Sequence, residues 1–348
     1  MFYSLPIETK LDIFKCLNYE ELCSIKQANL YFRDFINNFE GKLAREKLIN
    51  ISIEYFNQTK RFLHKLIKLK AGNFDFPLNE QVEERLKNGL EKPIPLYLPD
   101  QDLDNKNIVI GLSKVSADAT HHIKLQLPTI IKNKEDIKIV YFYLNKLFNC
   151  SFKYGFIDDF VFNSELIELL CGRIPKQFYI QRSNLYVMDN TIEYLFKFIL
   201  NHLVGGTLIL HFFIDRADLK QYINILFEIL IRGDNFEEVY LMFTRRAGIL
   251  NNINITMLYD YIAEYIATSR DCLKMVHYIT IDYSSPTSFK VSERAEKVEI
   301  KQMNNLKSAI YQIANIYDPK VRFSFYNEEW NNGSSYDVKI KIKKVEFE

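Results

Sequence analysis

Short apolar runs rich in β-formers alternate with segments of helical periodicity from about residue 121 onward, and this alternation most constrains the fold. The strand candidates are 123–127, 156–162, 177–181, 207–213, 238–244, 276–283 and 298–301. The helix candidates are 135–149, 190–203, a segment from 215 or 218 to 233, 254–268 and 303–316. Alternating strands and helices predict an α/β fold of β-α units with a largely parallel sheet.

Two α/β architectures fit this alternation. The units are roughly 20 to 38 residues long, so any repeat is degenerate. Short repeated crossovers favour a leucine-rich-repeat-like β-α solenoid, in which one helical layer and one sheet enclose a continuous core. The alternative is a doubly wound sheet with helices on both faces.

The C-terminal segment has the pattern of a β-hairpin. Residues 320–326 and 336–347 flank Asn332-Gly333, a dipeptide typical of tight turns. Within 338–343, three β-branched residues alternate with three lysines. Because lysines protect exposed sheet edges, we expect this last strand to cap the sheet at its edge.

The predicted strands also indicate a candidate binding surface. We expect the following residues to point inward: Phe178, Ile180, Leu208, Leu210, Val239, Leu241, Ile279, Ile281, Val298 and Ile300. The residues between them would form an outward ladder, whose tyrosine, isoleucine and methionine content suits protein recognition if one face of the sheet is open. From this ladder and the next loop we predict substrate contacts by Tyr179, His211, Tyr240, Met242, Arg245 and Arg246.

Three regions follow from the pattern along the chain. Residues 1–50 are a predicted helical module, 51–120 are linker helices with a proline-containing connector, and 121–348 are the β-α array. Residues 60–70 alternate basic and apolar residues, which predicts an amphipathic helix. Such a helix suits a membrane or nucleic-acid contact, or the solvated face of a linker helix.

The first helices carry more apolar surface than they can bury alone. Pro6 suits the first helical turn and holds Leu5 in an extended conformation outside the helix. Asn18 with Glu21 predicts a capped second helix, and Asn29 predicts the cap of a third. About forty residues form too small a core for all of the apolar side chains. The spare surface should therefore pack on the rest of the chain or on a partner.

This region resembles the F-box over about residues 3–45, and in particular the expanded nematode F-box proteins. The resemblance rests on Leu5-Pro6-Ile7-Glu8, Ile13-Phe14, Leu17, Tyr19-Glu20-Glu21-Leu22, Ile25, Ala28, Phe32, Phe35-Ile36 and Glu40-Gly41-Lys42-Leu43-Ala44-Arg45. It implies contacts with a Skp-type adaptor, and through it with a cullin scaffold, by Leu5, Pro6, Ile13, Phe14, Leu17 and Leu22. Thr9-Lys10 and Ala28 depart from the apolar residues common at these positions.

Motif searches favour a protein without catalytic chemistry. Phosphate-binding, dinucleotide-binding and nucleophile-elbow motifs do not occur, and the five cysteines are widely spaced. His121-His122 would point to opposite faces of a strand, so we expect no metal site there and no cofactor. A net charge of +1 argues against a strongly basic nucleic-acid binder.

The absence of a signal sequence or long apolar run predicts a cytoplasmic or nuclear protein without a membrane anchor. The sequence thus leads to a non-enzymatic substrate receptor of an SCF-type ubiquitin ligase that binds an unidentified target protein. A non-ligase interaction scaffold with a helical cap and a small-molecule α/β enzyme are the alternatives.

Overall fold

The structure is a computed structural model that describes residues 2–56, 64–68, 93–99, 107–115, 120–171, 177–213, 222–243, 255–285, 288–333 and 335–345. Over these residues the chain is a mixed α/β protein: an N-terminal three-helix segment precedes a large mixed sheet. None of the described helices combines the length and the apolar character needed to cross a bilayer.

The helical module consists of α1 (Ile7–Lys15), α2 (Tyr19–Ala28) and α3 (Leu30–Phe39), between 3₁₀ turns at Phe2–Ser4 and Glu40–Lys42. Its predicted caps are confirmed. The Asn18 side chain accepts from the Glu21 backbone N–H at 3.0 Å, and Glu21 accepts from the Asn18 N–H at 2.8 Å. Asn29 accepts from the Phe32 N–H at 2.9 Å. The module has its own small core of Leu11, Phe14, Leu22, Phe35, Ile36 and Leu43.

Strands follow the module. They are β1 (Glu46–Tyr55), β2 (His64–Lys68), β3 (Ile94–Pro95), β4 (Tyr97–Leu98), β5 (Ile108–Val115), β6 (Thr120–Gln126) and β7 (Ile130–Ile131). Linker helices were predicted from residue 51, whereas β6 contains residues 123–126 of the predicted strand 123–127. The predicted helices over 51–70 are therefore wrong for the described residues. Ile51 and Ile53 are buried at alternate positions because β1 pairs with β5 and with the strand at Cys150–Ile157. Residues 60–63 and 69–70 of the predicted basic helix lie outside the described residues.

The β-α units predicted from residue 121 onward are present. Their elements are α4 (Lys134–Phe148), β8 (Cys150–Ile157), β9 (Val161–Phe162), α5 (Ser164–Cys171), β10 (Phe178–Met188), α6 (Ile192–His202), β11 (Leu203–Phe213), α7 (Ile223–Leu230), β12 (Phe236–Phe243), α8 (Thr256–Thr268) and β13 (Tyr278–Ser285). Strands β8, β10, β11, β12 and β13 are parallel neighbours in chain order. Successive helices from α4 to α8 also contact one another.

The C-terminal region is β14 (Glu296–Met303), β15 (Leu306–Ala314), β16 (Arg322–Asn331) and β17 (Tyr336–Lys344). The helix predicted at 303–316 is wrong. Asn304 adopts a φ of 50° and turns the chain between β14 and β15. In β15, Ala309, Tyr311 and Ile313 are buried at alternate positions, as expected for a strand. The hairpin around Asn332-Gly333 is confirmed, with Asn331 opposite Tyr336.

The edge of the sheet differs from the prediction. The sheet order is β14-β15-β16-β17-β13-β12-β11-β10-β8-β1-β5-β6-β2, so β17 lies between β13 and β16. It cannot be the lysine-protected edge, because β17 pairs with a strand on each side. Its Val338, Ile340 and Ile342 side chains are buried in the core. Strand β14 is the edge at this end of the sheet, and its Val298 and Ile300 are exposed although they were predicted to be part of the core.

The two faces of the sheet differ in burial. We call the face that packs against α4–α8 the inner face and the opposite one the outer face. The predicted inward residues of β10–β13 are buried: Phe178, Ile180, Leu208, Leu210, Val239, Leu241, Ile279 and Ile281. Outer-face side chains are exposed or half-exposed apart from a few, such as Ile209 and Thr280.

The parallel strands share an interruption of the usual alternation. Each of β8, β10 and β12 contains three buried residues of which the first two are separated by two outward residues and the last two by one. The buried residues are Phe152, Gly155 and Ile157, then Ile180, Ser183 and Leu185, then Phe236, Val239 and Leu241. Phe152, Gly155 and Ile157 are in register with Ile180, Ser183 and Leu185, so the interruption continues from β8 to β10.

Candidate functional site

Helix α1 divides its apolar residues between the core and the surface. Leu11 and Phe14 face the core of the module, whereas Ile7 is 56% exposed and Ile13 is 43% exposed. Pro6 precedes the helix with extended backbone angles, and Leu5 lies half-buried outside it. The module therefore packs one stripe of α1 and leaves part of a second stripe at the surface.

The predicted adaptor-binding residues fall into two groups. Pro6 and Ile13 are exposed, and Leu5 and Leu17 are half-buried, so a partner can reach them. Phe14 and Leu22 are 2% and 3% exposed inside the core of the module. These two side chains therefore stabilise the module from within its core.

Exposed residues that the sequence reasoning missed extend this surface. Tyr3 is 58% exposed, Leu30 is 64% exposed and Tyr31 is 37% exposed. The Tyr3 and Tyr31 ring centroids lie 4.8 Å apart in an edge-to-face arrangement. A signal existed for Leu30, which lies outside the helical spacing of Phe32, Phe35 and Ile36, but not for Tyr31, which lies four residues before Phe35 and stacks on its ring.

Lys10, a departure from the F-box pattern, has a defined role in the module. Its side chain is 6% exposed, and its ammonium donates a hydrogen bond to the Tyr3 carbonyl at 2.8 Å. The Lys10 Nζ also lies 5.4 Å from the centre of the Tyr31 ring, within the range of a cation–π contact. Lys10 thus ties the N-terminal turn to α3 in place of an apolar side chain.

Tyr179 lies apart from the other predicted substrate contacts. It is exposed on β10, in register with Ser151 and Val204. The Arg45 guanidinium lies 5.7 Å from the centre of the Tyr179 ring, and burial lowers the pKa of Arg45. Tyr179 therefore borders the end of the helical module instead of the middle of the outer face.

His211, Tyr240 and Met242 do lie together on the outer face. His211 on β11 is in register with Met242 on β12, and Tyr240 is in register with Ile209. Tyr186, which the sequence reasoning missed, stacks on His211 with ring centroids 4.9 Å apart. Burial lowers the pKa of His211, which favours its neutral form beside the tyrosine. We call Tyr186, His211, Tyr240 and Met242 the outer-face cluster.

Asp282 and the lysines of β17 extend the surface beyond this cluster. Asp282 is in register with both Met242 and Lys339. Burial raises the pKa of Asp282, and the Lys339 charge opposes that rise. Lys341 Nζ lies 5.2 Å from the Tyr326 ring centre, and Lys343 Nζ lies 5.3 Å from that of Tyr278. The lysines therefore contact an aromatic surface and do not protect an edge.

Two further predictions concern single segments. Arg245 and Arg246 lie outside the described residues. His122 Nδ1 lies 3.0 Å from Ser113 Oγ on the neighbouring strand β5. His121 is the preceding residue of β6, and adjacent residues of a strand point to opposite faces of the sheet.

The described residues contain no group of three or more His, Cys, Asp or Glu side chains that could hold a metal ion. A cleft of about 280 Å³ lies beside the amino end of α5, where Asn163 caps the helix and Pro93, Pro95 and Tyr194 form apolar walls. Its charged groups, Lys197 and Glu165, pair with each other at 3.1 Å. This cleft thus has walls of proline and tyrosine side chains and one exposed ion pair.

Comparison with known proteins yields one partial match. Residues 67–213 match the family model of a domain of unknown function, DUF8381. This stretch is similar to that domain from β2 through β11. No curated protein and no solved structure matches the chain.

Proposed function

We propose that this protein is a substrate-recognition subunit of an SCF-type ubiquitin ligase. The helical module acts as an F-box that binds a Skp-type adaptor, and the adaptor connects the chain to a cullin scaffold. The β-α array holds a target protein near the ubiquitin-loaded enzyme and so raises its effective concentration. The chain itself carries out no chemistry and acts in the cytoplasm or nucleus.

One observation carries this proposal: the helical module leaves an apolar surface uncovered although it has a core of its own. Ile7, Ile13 and Leu30 of this module expose 43–64% of their surface, and Pro6 precedes α1 with extended backbone angles. Exposed apolar groups of this kind, clustered on a small module, are typical of a docking surface for another protein.

The β-α array supports the second half of the proposal. We propose that it is a degenerate leucine-rich-repeat-like solenoid. The buried positions of β8, β10 and β12 have the spacing of the L-x-x-L-x-L strand motif, and parallel strands follow one another in chain order. In such an array the outer face is the binding surface, and the outer-face cluster supplies tyrosine, histidine and methionine side chains for a protein ligand.

The test of adaptor binding is capture of a purified Skp-type adaptor by the full chain. We expect the Leu5→Ala/Pro6→Ala variant and the Ile13→Asp variant to lose about tenfold or more in affinity, because each removes apolar contact area. Ile316→Asp is the matched control, since Ile316 is 56% exposed on the array and should leave capture unchanged. Failure of the wild-type chain to capture the adaptor would overturn the ligase proposal.

The outer face is tested separately by the Tyr240→Ala/Met242→Ala variant. We expect it to keep adaptor binding and to lose the target proteins that crosslink to the wild-type chain. A chain that retains outer-face targets but captures no adaptor would identify an interaction scaffold instead of a ligase subunit.

A further inference from the structure

Strand β14 is an edge strand without cover on either face. Each of its eight residues, Glu296–Met303, is exposed. In the part of the chain that the structure describes, β14 pairs with β15 alone, with Ile300 opposite Ala309 and Glu299 opposite Ile310. Its second row of backbone N–H and C=O groups is therefore available to another strand.

The side chains of β14 alternate between apolar and charged faces. Ile300 lies on the inner face beside Ala309, which is 4% exposed, yet Ile300 itself is 57% exposed and Val298 is 45% exposed. Glu299 and Lys301 lie on the outer face beside Ile310 and Ser308. The burial of the inner face thus stops at β15 and leaves a short apolar strip on β14.

We propose that β14 pairs antiparallel with β14 of a second copy of this chain, about a twofold axis that passes between the two Ile300 residues. In this register Glu299 faces Lys301 of the second copy, and Lys301 faces its Glu299. The two Ile300 side chains meet on the inner face, with Val298 of each copy diagonal to them. Opposite charges and apolar pairs directly across an antiparallel pair are stabilising.

The neighbouring registers are unfavourable for the same physical reason. Residues opposite each other must share a face, so a symmetric antiparallel pair can be centred only on a residue. Centring on Glu299 sets Glu299 against Glu299 and Lys301 against Lys297. Centring on Lys301 sets Lys301 against Lys301. Since like charges directly opposite are destabilising, the charge order of β14 favours the axis at Ile300 over the axes at Glu299 and Lys301.

The geometry of β14 also limits the strength of this contact. The register with β15 shifts between Glu296 and Glu299, and Lys297 has a φ of 52°, which marks a bulge. The bulge restricts the intermolecular ladder to the residues around Glu299–Lys301. So short a ladder buries less than a typical stable interface, and the dimer should dissociate on dilution.

Cysteine crosslinking tests the register. Ile300→Cys should form an intermolecular disulfide under mild oxidation, because the two residues 300 face each other within disulfide reach. Gln302→Cys is the matched control on the same face of the same strand. Its two Cα atoms would lie about 13 Å apart along the strand direction, too far for a disulfide. Equal crosslinking of both variants, or none by Ile300→Cys, would refute the proposed pairing.

Charge exchange tests the pairing without new cysteines. Sedimentation over a range of concentrations should show that Glu299→Lys and Lys301→Glu each raise the dimer dissociation constant about 10- to 30-fold, because each changes two symmetric pairs. The Glu299→Lys/Lys301→Glu double variant should restore dimerisation. A wild-type chain that stays monomeric, or a double variant no better than the single ones, would overturn the proposal. Adaptor capture should be the same for all of them, so this result is independent of the proposed ligase function.

Discussion

Single residues decide local geometry here, and Gly205 is the clearest case. A Cβ atom at Gly205 would lie 1.7 Å from the Ile180 carbonyl oxygen on β10. The pair Gly205-Gly206 has the composition of a helix stop, but α6 ends at His202 and β11 begins at Leu203. The glycine is required because two parallel strands approach closely at this point.

We therefore expect Gly205→Ala to lower the free energy of unfolding by about 2–4 kcal/mol, since the new methyl group must displace backbone. Gly41→Ala is the matched control, because nothing lies within 4 Å of a Cβ at that position. Urea denaturation of both variants measures the difference. Equal stability of the two would show that β10 and β11 can separate at no cost.

His211 links the outer-face cluster to pH. In the folded chain, burial lowers the pKa of His211 below its ordinary value of 6.5. The unfolded chain therefore takes up the proton first as the pH falls. The contribution of His211 to the free energy of unfolding is fully present above pH 6.5. It is lost as the pH falls from there through the lowered pKa of the folded chain. His211→Gln should remove this component.

The measurement is urea denaturation of wild type and His211→Gln at pH 8, 6.5 and 5. We expect the wild-type chain to lose more stability than the variant between the first and the last condition. Identical pH profiles would mean that the outer face leaves the His211 ring as hydrated as in the unfolded chain.

Helix α1 shows at the scale of an element how adjacent residues acquire different roles. Ile13 and Phe14 both belong to the motif that resembles an F-box, and the sequence pattern assigns both to the adaptor. The helix turns about 100° between them, which sends Phe14 into the core with Phe35 at 5.2 Å between ring centroids and leaves Ile13 at the surface.

We expect Phe14→Ala to destabilise the helical module by about 3–5 kcal/mol, because it leaves a cavity in a small core. Ile13→Ala should change the stability by no more than about 0.5–1 kcal/mol and act on adaptor affinity instead. Hydrogen exchange of residues in α1–α3 measures the stability of the module within the full chain. A large effect of Ile13→Ala on exchange would indicate that Ile13 packs within the module.

At the scale of the whole molecule, the C-terminal strands complete the sheet. Ile51 on β1 and Ile342 on β17 belong to the same core, so the antiparallel strands and the β-α units form one packed body. Strand β17 connects β14–β16 to β13. Its removal would separate three strands from the rest and expose the hydrogen-bonding edge of β13.

A chain truncated after Gly333 should accordingly aggregate or become sensitive to protease, whereas one that ends at Val345 keeps β17 and should behave as wild type. Thermal unfolding and limited proteolysis compare the two. If the shorter chain resisted protease as well as wild type, β17 would behave as an edge strand, which would contradict its central position in the sheet.

Local patterns in the sequence were sufficient for the caps at Asn18 and Asn29, the β-α alternation from residue 121, the inward residues of β10–β13 and the hairpin at Asn332-Gly333. Each depends on residues close together in the chain, whose side-chain periods and turn preferences act before any tertiary contact. The positions of His211, Tyr240 and Met242 on the outer face followed from the same strand periodicity.

Only the tertiary structure decided the position of β17, the replacement of a predicted helix by β15, and the burial of Phe14 and Leu22. Pairing between strands distant in sequence leaves no local signature, because a β-branched strand alternating with lysines suits an edge and a solvated outer face equally well. The sequence by itself thus determined most of the helices and strands in the β-α units, although it missed α5 and placed the strand 156–162 too late, since β8 is Cys150–Ile157. Long-range hydrogen bonding and packing determined which strands have two neighbours, and hence which side chains remain at the surface.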